Sequence, residues 1–183
     1  MRGSTDIVLS IAVSQDGRWI VSGDDGDKAT VWNADTHEKV REFRELNGSV
    51  FAVDISNDGT KVVAGDNNAA GTARIFGTTS GIPLLPPLPH SHVRGVKFSP
   101  DGHRLATASQ NCGFRIYSTH NGSRIGGIIT HAGEIRCIAL SPSGGYLACG
   151  FGRDVSVHNL RGVLPSKYFD HDVSVPSLHH VRL

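Results

Sequence analysis

Apolar and polar positions alternate along this chain in short runs, and the runs recur at fixed offsets from one string. The string reads Ser14-Gln15-Asp16-Gly17, Ser56-Asn57-Asp58-Gly59, Ser99-Pro100-Asp101-Gly102 and Ser141-Pro142-Ser143-Gly144, with its glycines 42, 43 and 42 residues apart. Six residues before each glycine stand Ile11, Val53, Val96 and Ile138; four before it stand Val13, Ile55, Phe98 and Leu140. These two positions share parity and so one face of a strand. Three residues after the glycine come Ile20, Val62, Leu105 and Leu147, and six after it the small residues Gly23, Gly65, Ala108 and Gly150. A Ser-x-Asp-Gly string between two apolar runs is hairpin chemistry. Glycine supplies a positive φ without steric cost, and aspartate caps its own turn.

Each unit therefore begins strand–turn–strand. In the first unit strands are expected over residues 7–14, 18–23, 29–33 and 39–44, and third strands of the later units over 72–77, 113–118 and 154–159. No window keeps a 3.6-residue period, so no helix longer than a turn is expected. A period of 40–45 residues marks a repeat architecture, whose units stack on one another.

These residues resemble the WD40 repeat. Val93-Arg94-Gly95-Val96-Lys97-Phe98-Ser99-Pro100-Asp101-Gly102 is the best match, and Thr30-Val31-Trp32-Asn33 resembles the end of the third strand, with Asn for the usual Asp. Phe76, Tyr117 and His158 occupy the Trp place in the other units. His131 and His171 stand where the family's Gly-His histidine belongs; His90 is one residue off, and Ser4 and Leu46 replace it elsewhere. The resemblance covers essentially the whole chain. It implies an all-β fold: a partial β-propeller of four four-stranded antiparallel blades, approximately 7–45, 50–88, 93–130 and 135–170. One extra C-terminal strand, 173–183, would start a fifth blade, all within a single domain, 1–183. It also implies structural roles for the turn residues Asp16, Gly17, Asp58, Gly59, Asp101, Gly102, Ser143 and Gly144. Ser22, Trp32 and His131 would be remnants of the family's buried hydrogen-bond network. That network is fragmentary here: Asp27 is one residue too near Trp32, and Asn111 takes the Asp place in the third unit.

Four blades and one strand do not close a ring of the usual seven. The foremost expectation is that the chain is a fragment of a longer propeller. The alternatives are pairing with another chain and a free-standing arc or small ring. An open arc leaves apolar faces bare on the first and fourth blades, and poor solubility of the isolated chain follows.

Composition adds exclusions. At 183 residues and 38% apolar content one domain with a core is expected. Eighteen basic against 17 acidic residues give a formal +1, which is no electrostatic footprint for nucleic acid or an anionic membrane. No apolar run is long enough to span a bilayer, and the N-terminal residues read as no signal peptide. Three cysteines without Cys-x-x-Cys spacing suit a reducing compartment, so a cytoplasmic or nuclear location is expected. The proline cluster 82–89 contains Pro86 and Pro89 at Pro-x-x-Pro spacing, but reads better as the outer edge strand of the second blade.

Ten histidines raise the question of a metal. His90 and His92 are two apart, the adjacent His179 and His180 would point to opposite strand faces, and no His-x-x-x-His or His-Glu-x-x-His motif occurs. A structural or surface role is expected for the set, with no metal site and no cofactor. Recurrent Ser, His and Asp are better explained by the blade network than by a catalytic triad, and no catalytic residue is assigned. The glycines at 144–145 and 150–152 form turns; no Gly-x-x-x-x-Gly-Lys-Ser/Thr loop is present.

One column carries the functional reading. Eight residues before each repeat glycine stand Leu9, Phe51, Arg94 and Arg136, assigned to the parity of the apolar column at the channel mouth. Arginines and aromatics dominate interface energetics. The bland alternative is that Leu9 and Phe51 pack between blades while the arginines reach solvent. Loops 45–48, 89–92, 130–134, 24–27, 66–70, 110–111 and 151–153 belong to the same rim, where binding residues concentrate. The partner-binding candidates are Phe51, Arg94 and Arg136, with His92, Phe151 and Arg153. The expected function is a non-enzymatic scaffold presenting rim loops to a protein or peptide. Alternatives are a regulatory repeat segment of a larger multidomain protein, or a channel-pocket ligand-binding or enzymatic propeller. No nucleic-acid or membrane partner is expected; pairing with further propeller blades is.

Overall fold

Turn chemistry builds the first layer of structure. The computed structural model describes residues 6–111, 113–131, 133–166 and 169. In the first repeat string Gly17 takes φ +72°, and its N–H donates to the Ser14 carbonyl at 2.9 Å. Ser14 Oγ donates to Asp16 Oδ1 at 2.6 Å and accepts from the Trp19 N–H at 2.9 Å. The arrangement repeats at Ser56–Gly59 and Ser99–Gly102, where Gly59 and Gly102 both have φ +68°. In the fourth string Ser143 stands in for aspartate, its hydroxyl 3.1 Å from that of Ser141, and Gly144 has φ +67°.

Each turn joins the first two strands of a meander. The first blade is β1 (Val8–Val13), β2 (Trp19–Asp24), β3 (Ala29–Asn33) and β4 (Lys39–Phe43). The second is β5 (Val50–Ile55), β6 (Lys61–Asp66), β7 (Thr72–Gly77) and β8 (Leu88–Pro89). The third is β9 (Val93–Phe98), β10 (Arg104–Ser109), β11 (Gly113–Ser118) and β12 (Arg124–Thr130). The fourth is β13 (Ile135–Leu140), β14 (Tyr146–Phe151) and β15 (Asp154–Asn159). All pairings are antiparallel.

The outer edges depart from the regular pattern. In the second blade β8 is two residues long, joined by one further bridge between Phe76 and Pro83. Prolines 83, 86, 87 and 89 have no N–H to give the ladder, which limits this edge to isolated pairings. In the fourth blade the outer strand expected before residue 170 does not form over 160–166. There the chain makes a 3₁₀ turn, Leu160–Gly162, capped by Asn159 Oδ1, and drives Leu160 and Leu164 into the core. The extra strand expected over 173–183 lies outside the described residues.

The core lies between blades. Val53, Ile55 and Val62 of the second blade pack on Val21, Val31 and Phe43 of the first. Val96, Phe98 and Leu105 of the third pack on Val63, Ile75 and Leu88 of the second. Leu147 and Cys149 of the fourth pack on Ala106, Phe114 and Ile116 of the third. Inner strands β1, β5, β9 and β13 therefore stand side by side in chain order, and the Val53 N–H donates to Ser10 Oγ across the first pair at 3.1 Å.

The two end blades show the complementary faces. Val53, Ile55, Val96 and Phe98 are buried, whereas Ile11 and Val13 of the first blade, at the same offsets, are 66% and 58% exposed. On the fourth blade Val155 and Val157 are 55% and 49% exposed, although their counterparts Phe114 and Ile116 are buried. Among the described residues the architecture is thus an all-β, four-blade partial propeller with exposed apolar side chains on the face of each end blade.

Candidate functional site

The predicted column at the head of each inner strand is a column of β-bulges. The β1–β2 register shifts between Val8 and Ser10, β5–β6 between Val50 and Ala52, and β13–β14 between Ile135 and Cys137. In β9–β10 it shifts where Val93 and Gly95 face Ser109 and Ala108. The unpaired residues are Leu9, Phe51, Arg94 and Arg136. This corrects the parity assigned from sequence. A bulge inserts one residue and re-aims the side chain. The preceding residues, Val50, Val93 and Ile135, join the inter-blade core instead.

Re-aimed in this way, the four side chains line one concavity of about 410 Å³ together with Gln110, Glu134 and Ile135. Arg94 lies over the Phe51 ring, its guanidinium carbon 4.0 Å from the ring centroid. The same guanidinium donates twice to Gln110 Oε1, at 3.1 Å and 2.8 Å, and Gln110 Nε2 donates to Glu134 Oε1 at 3.3 Å. A planar cation is thereby held by a ring on one side, while its forked N–H groups converge on a single carbonyl oxygen at its edge, a geometry lysine could not reproduce. Arg136 is exposed. Gln110 and Glu134 come from two of the rim loops read from sequence, but their link to Arg94 was not foreseen.

The other candidates lie elsewhere. His92 is half-buried at φ +50°; its N–H donates to the Asn68 carbonyl and its carbonyl accepts from the Gln110 N–H, both at 2.9 Å. Phe151 packs against His131 with the rings tilted by 56° and their centroids 4.6 Å apart, beside the connector between the third and fourth blades. Arg153 is exposed in the β14–β15 turn. None of these three lines the concavity.

The opposite mouth holds a wider concavity of about 650 Å³ lined by Val13, Asp54, Lys97, Phe98, Leu140 and Pro142, among others. Lys97 Nζ pairs with Asp54 Oδ1 at 2.6 Å, and Asp54 Oδ2 accepts the Phe98 N–H at 2.9 Å. Sequence reasoning missed this pair. The signal was present: both residues stand five before their repeat glycine, so neighbouring inner strands place them opposite each other.

The remnants of the blade network differ from blade to blade. Trp32 Nε1 donates to Ser22 Oγ at 2.9 Å, buried in the first blade. In the third, His90 Nδ1 lies 2.7 Å from Thr107 Oγ1, and the Tyr117 hydroxyl donates to the Pro89 carbonyl at 2.6 Å. The one-residue offset of His90 is therefore absorbed by the connector. Burial, helped by the nearby Arg115 cation, pushes His90 down to about 4, so it is neutral at physiological pH. In the fourth blade His131 meets His158, Nε2 to Nε2, at 2.7 Å, with the Cys149 thiol beside them.

Comparison with known proteins places the fold. Residues 70–143 match the model of the anaphase-promoting complex subunit 4 WD40 domain, and residues 1–33 match the WD domain, G-beta repeat. Human apoptotic protease-activating factor 1 is 30% identical over 161 residues, which cover 83% of this chain and 13% of that protein. The chain thus matches only a small part of this curated relative's length. With one repeat model on the first blade and a domain model running from the second blade into the fourth, the chain belongs to the WD40-repeat family.

Proposed function

We propose that this chain is a non-enzymatic scaffold whose bulge-lined mouth receives a segment of a protein partner. WD40 repeat domains generally mediate protein–protein interaction and are generally non-catalytic. The observation that carries the finer reading is the Phe51–Arg94–Gln110–Glu134 assembly. It immobilises a cation and an aromatic face in a concavity before any partner arrives, which lowers the ordering cost of binding. Exposed Arg136 supplies a second cation, and Leu9 an apolar wall. The partner that suits this mouth is an extended segment carrying a carboxylate next to an apolar side chain. Free Cys137 and Cys149 are compatible with action in the reducing cytoplasm or nucleus.

A peptide-display selection against the purified chain tests this reading. Enriched peptides should be acidic-apolar and should lose about tenfold or more in affinity on Arg136→Ala and Arg94→Ala proteins. Selected peptides that bind both variants as tightly as the unaltered chain would refute it.

A second reading, that the blades regulate a larger multidomain protein, has one observation in its favour. The match to apoptotic protease-activating factor 1 occupies 13% of that protein. A full-length transcript encoding a further domain on the same chain would establish it.

A further inference from the structure

Three offsets that bring hydrogen-bonding residues together in the first and third blades bring metal-ligand residues together in the fourth. Five residues after the repeat glycine stand Ser22, Ala64, Thr107 and Cys149. Opposite the residue three after it stand Trp32, Phe76, Tyr117 and His158. The connector into the third blade supplies His90, and that into the fourth supplies His131. In the first blade these positions make a Trp–Ser hydrogen bond, and in the third a His–Thr contact. In the fourth they are His131, Cys149 and His158, whose ligand atoms all lie within 4.8 Å of one another.

We propose that His131, Cys149 and His158 bind a Zn²⁺-class transition-metal ion that ties the β12–β13 connector to β14 and β15. The two imidazoles present Nε2 to Nε2 at 2.7 Å, one nitrogen donating and the other accepting, so both rings turn the same ligand atom toward one place. Ser156 Oγ stands 3.0 Å and 3.1 Å from those nitrogens and faces the same way as Cys149, its partner in the ladder. Phe114 meets His158 edge-on at 5.0 Å, and Phe151 packs on His131 at 4.6 Å, which orients both rings. Cys149 is fully buried.

Two imidazoles and a thiolate are the ligand set that zinc and its chemical neighbours prefer. Tetrahedral coordination at Zn–N of about 2.0–2.1 Å needs the two nitrogens roughly 3.4 Å apart, a small outward rotation of the rings. The fourth position falls to water, within reach of Ser156 Oγ. Metal binding forms the sulfur–metal bond as the Cys149 thiol proton leaves to solvent, and the proton on the donating Nε2 moves to Nδ1. One proton is released per ion bound.

Co²⁺ binding to the purified 183-residue chain tests the site, because thiolate ligation gives a near-ultraviolet charge-transfer band and tetrahedral geometry gives intense visible bands. The Cys112→Ser/Cys137→Ser protein keeps Cys149 as its sole thiol. It should show both bands at one cobalt per chain, displaced by Zn²⁺. Zinc at about a hundredfold over its Kd should raise its Tm by roughly 5–10 °C. Cys149→Ser restores the residue found at this offset in the first blade, so it should fold, and it should lose the charge-transfer band. No charge-transfer band in the sole-thiol protein, or its persistence in Cys149→Ser, overturns the proposal. The sole-thiol protein decides even if the serine variant does not fold.

Discussion

Gly23 and Val50 meet across the first inter-blade seam with no room for a side chain on the glycine. A Cβ at position 23 would lie 2.6 Å from Val50 Cγ1 and 2.7 Å from the Val50 carbonyl oxygen. Gly65 stands in the same relation to Val93 at the second seam, and Ala108 takes the equivalent place beside Ile135 at the third. In the first three units the small residue six after the repeat glycine is thus the point where one blade's second strand touches the next blade's first.

Replacing Gly23 by alanine should therefore push two blades apart. Over-packing of this kind costs about 1–3 kcal/mol. Gly127 in β12 has nothing within 4 Å of its would-be Cβ, so Gly127→Ala should change stability by less than about 0.5 kcal/mol. Urea denaturation of the two variants gives the comparison, and equal midpoints would refute the close approach.

The turn aspartates should support stability above acid pH. Burial, the largest influence on Asp58, raises its pKa, but hydrogen bonds from Ser56 and Thr60 outweigh it and hold the carboxyl at about 2, against an ordinary 3.8. A depressed carboxylate contributes stability that is complete above its unfolded value and is lost as pH falls through the folded one. Asp58→Ala should cost about 1 kcal/mol near neutrality through lost turn hydrogen bonds. The difference from the unaltered chain should shrink between about pH 4 and 2, followed by urea midpoints across that range.

His90 should give a second window of acid destabilisation, at higher pH. It is buried, and its pKa lies near 4 instead of the usual 6.5. Between these values the unfolded chain binds more protons than the folded one, so stability falls as pH drops from 6.5 to 4. The slope reaches about 1.4 kcal/mol per pH unit. His90→Asn should lose stability at pH 7.5 and show a shallower slope over this window. Parallel slopes for the two proteins would count against a neutral, buried His90.

The bare end faces should tolerate charge where the buried seams do not. Ile11→Lys and Val157→Lys place an ammonium on exposed apolar positions and should leave stability within about 0.5 kcal/mol while reducing self-association. Val53→Lys, six before its repeat glycine as Ile11 is, should cost more than about 4 kcal/mol, because it buries an unpaired charge. Light scattering and thermal melts of the three variants read both effects.

Some of this architecture is written in local sequence. The turn string needs only neighbours: Ser14, Asp16 and Gly17 satisfy one another within four residues, so the hairpin can be read without the fold. The strand faces follow from alternation, and the stacking of blades from the period near 42. The small column could be seen as a pattern, and its cause appears once Val50 stands against Gly23.

Other features depend on chain segments meeting. A bulge is a relation between two strands, so parity on one strand misassigned Phe51 and Arg94, and only the β5–β6 and β9–β10 registers turn them into the mouth. The Lys97–Asp54 pair needs adjacent inner strands 43 residues apart in sequence. His131, Cys149 and His158 carry no local ligand motif, because their separations come from a connector and two strands folded onto one face. By itself the sequence determined the units and their turns, since those rest on contacts within a few residues, and the period near 42 announced their stacking. Tertiary structure decided which side chains share a mouth or a ligand point, because that depends on register and inter-blade packing.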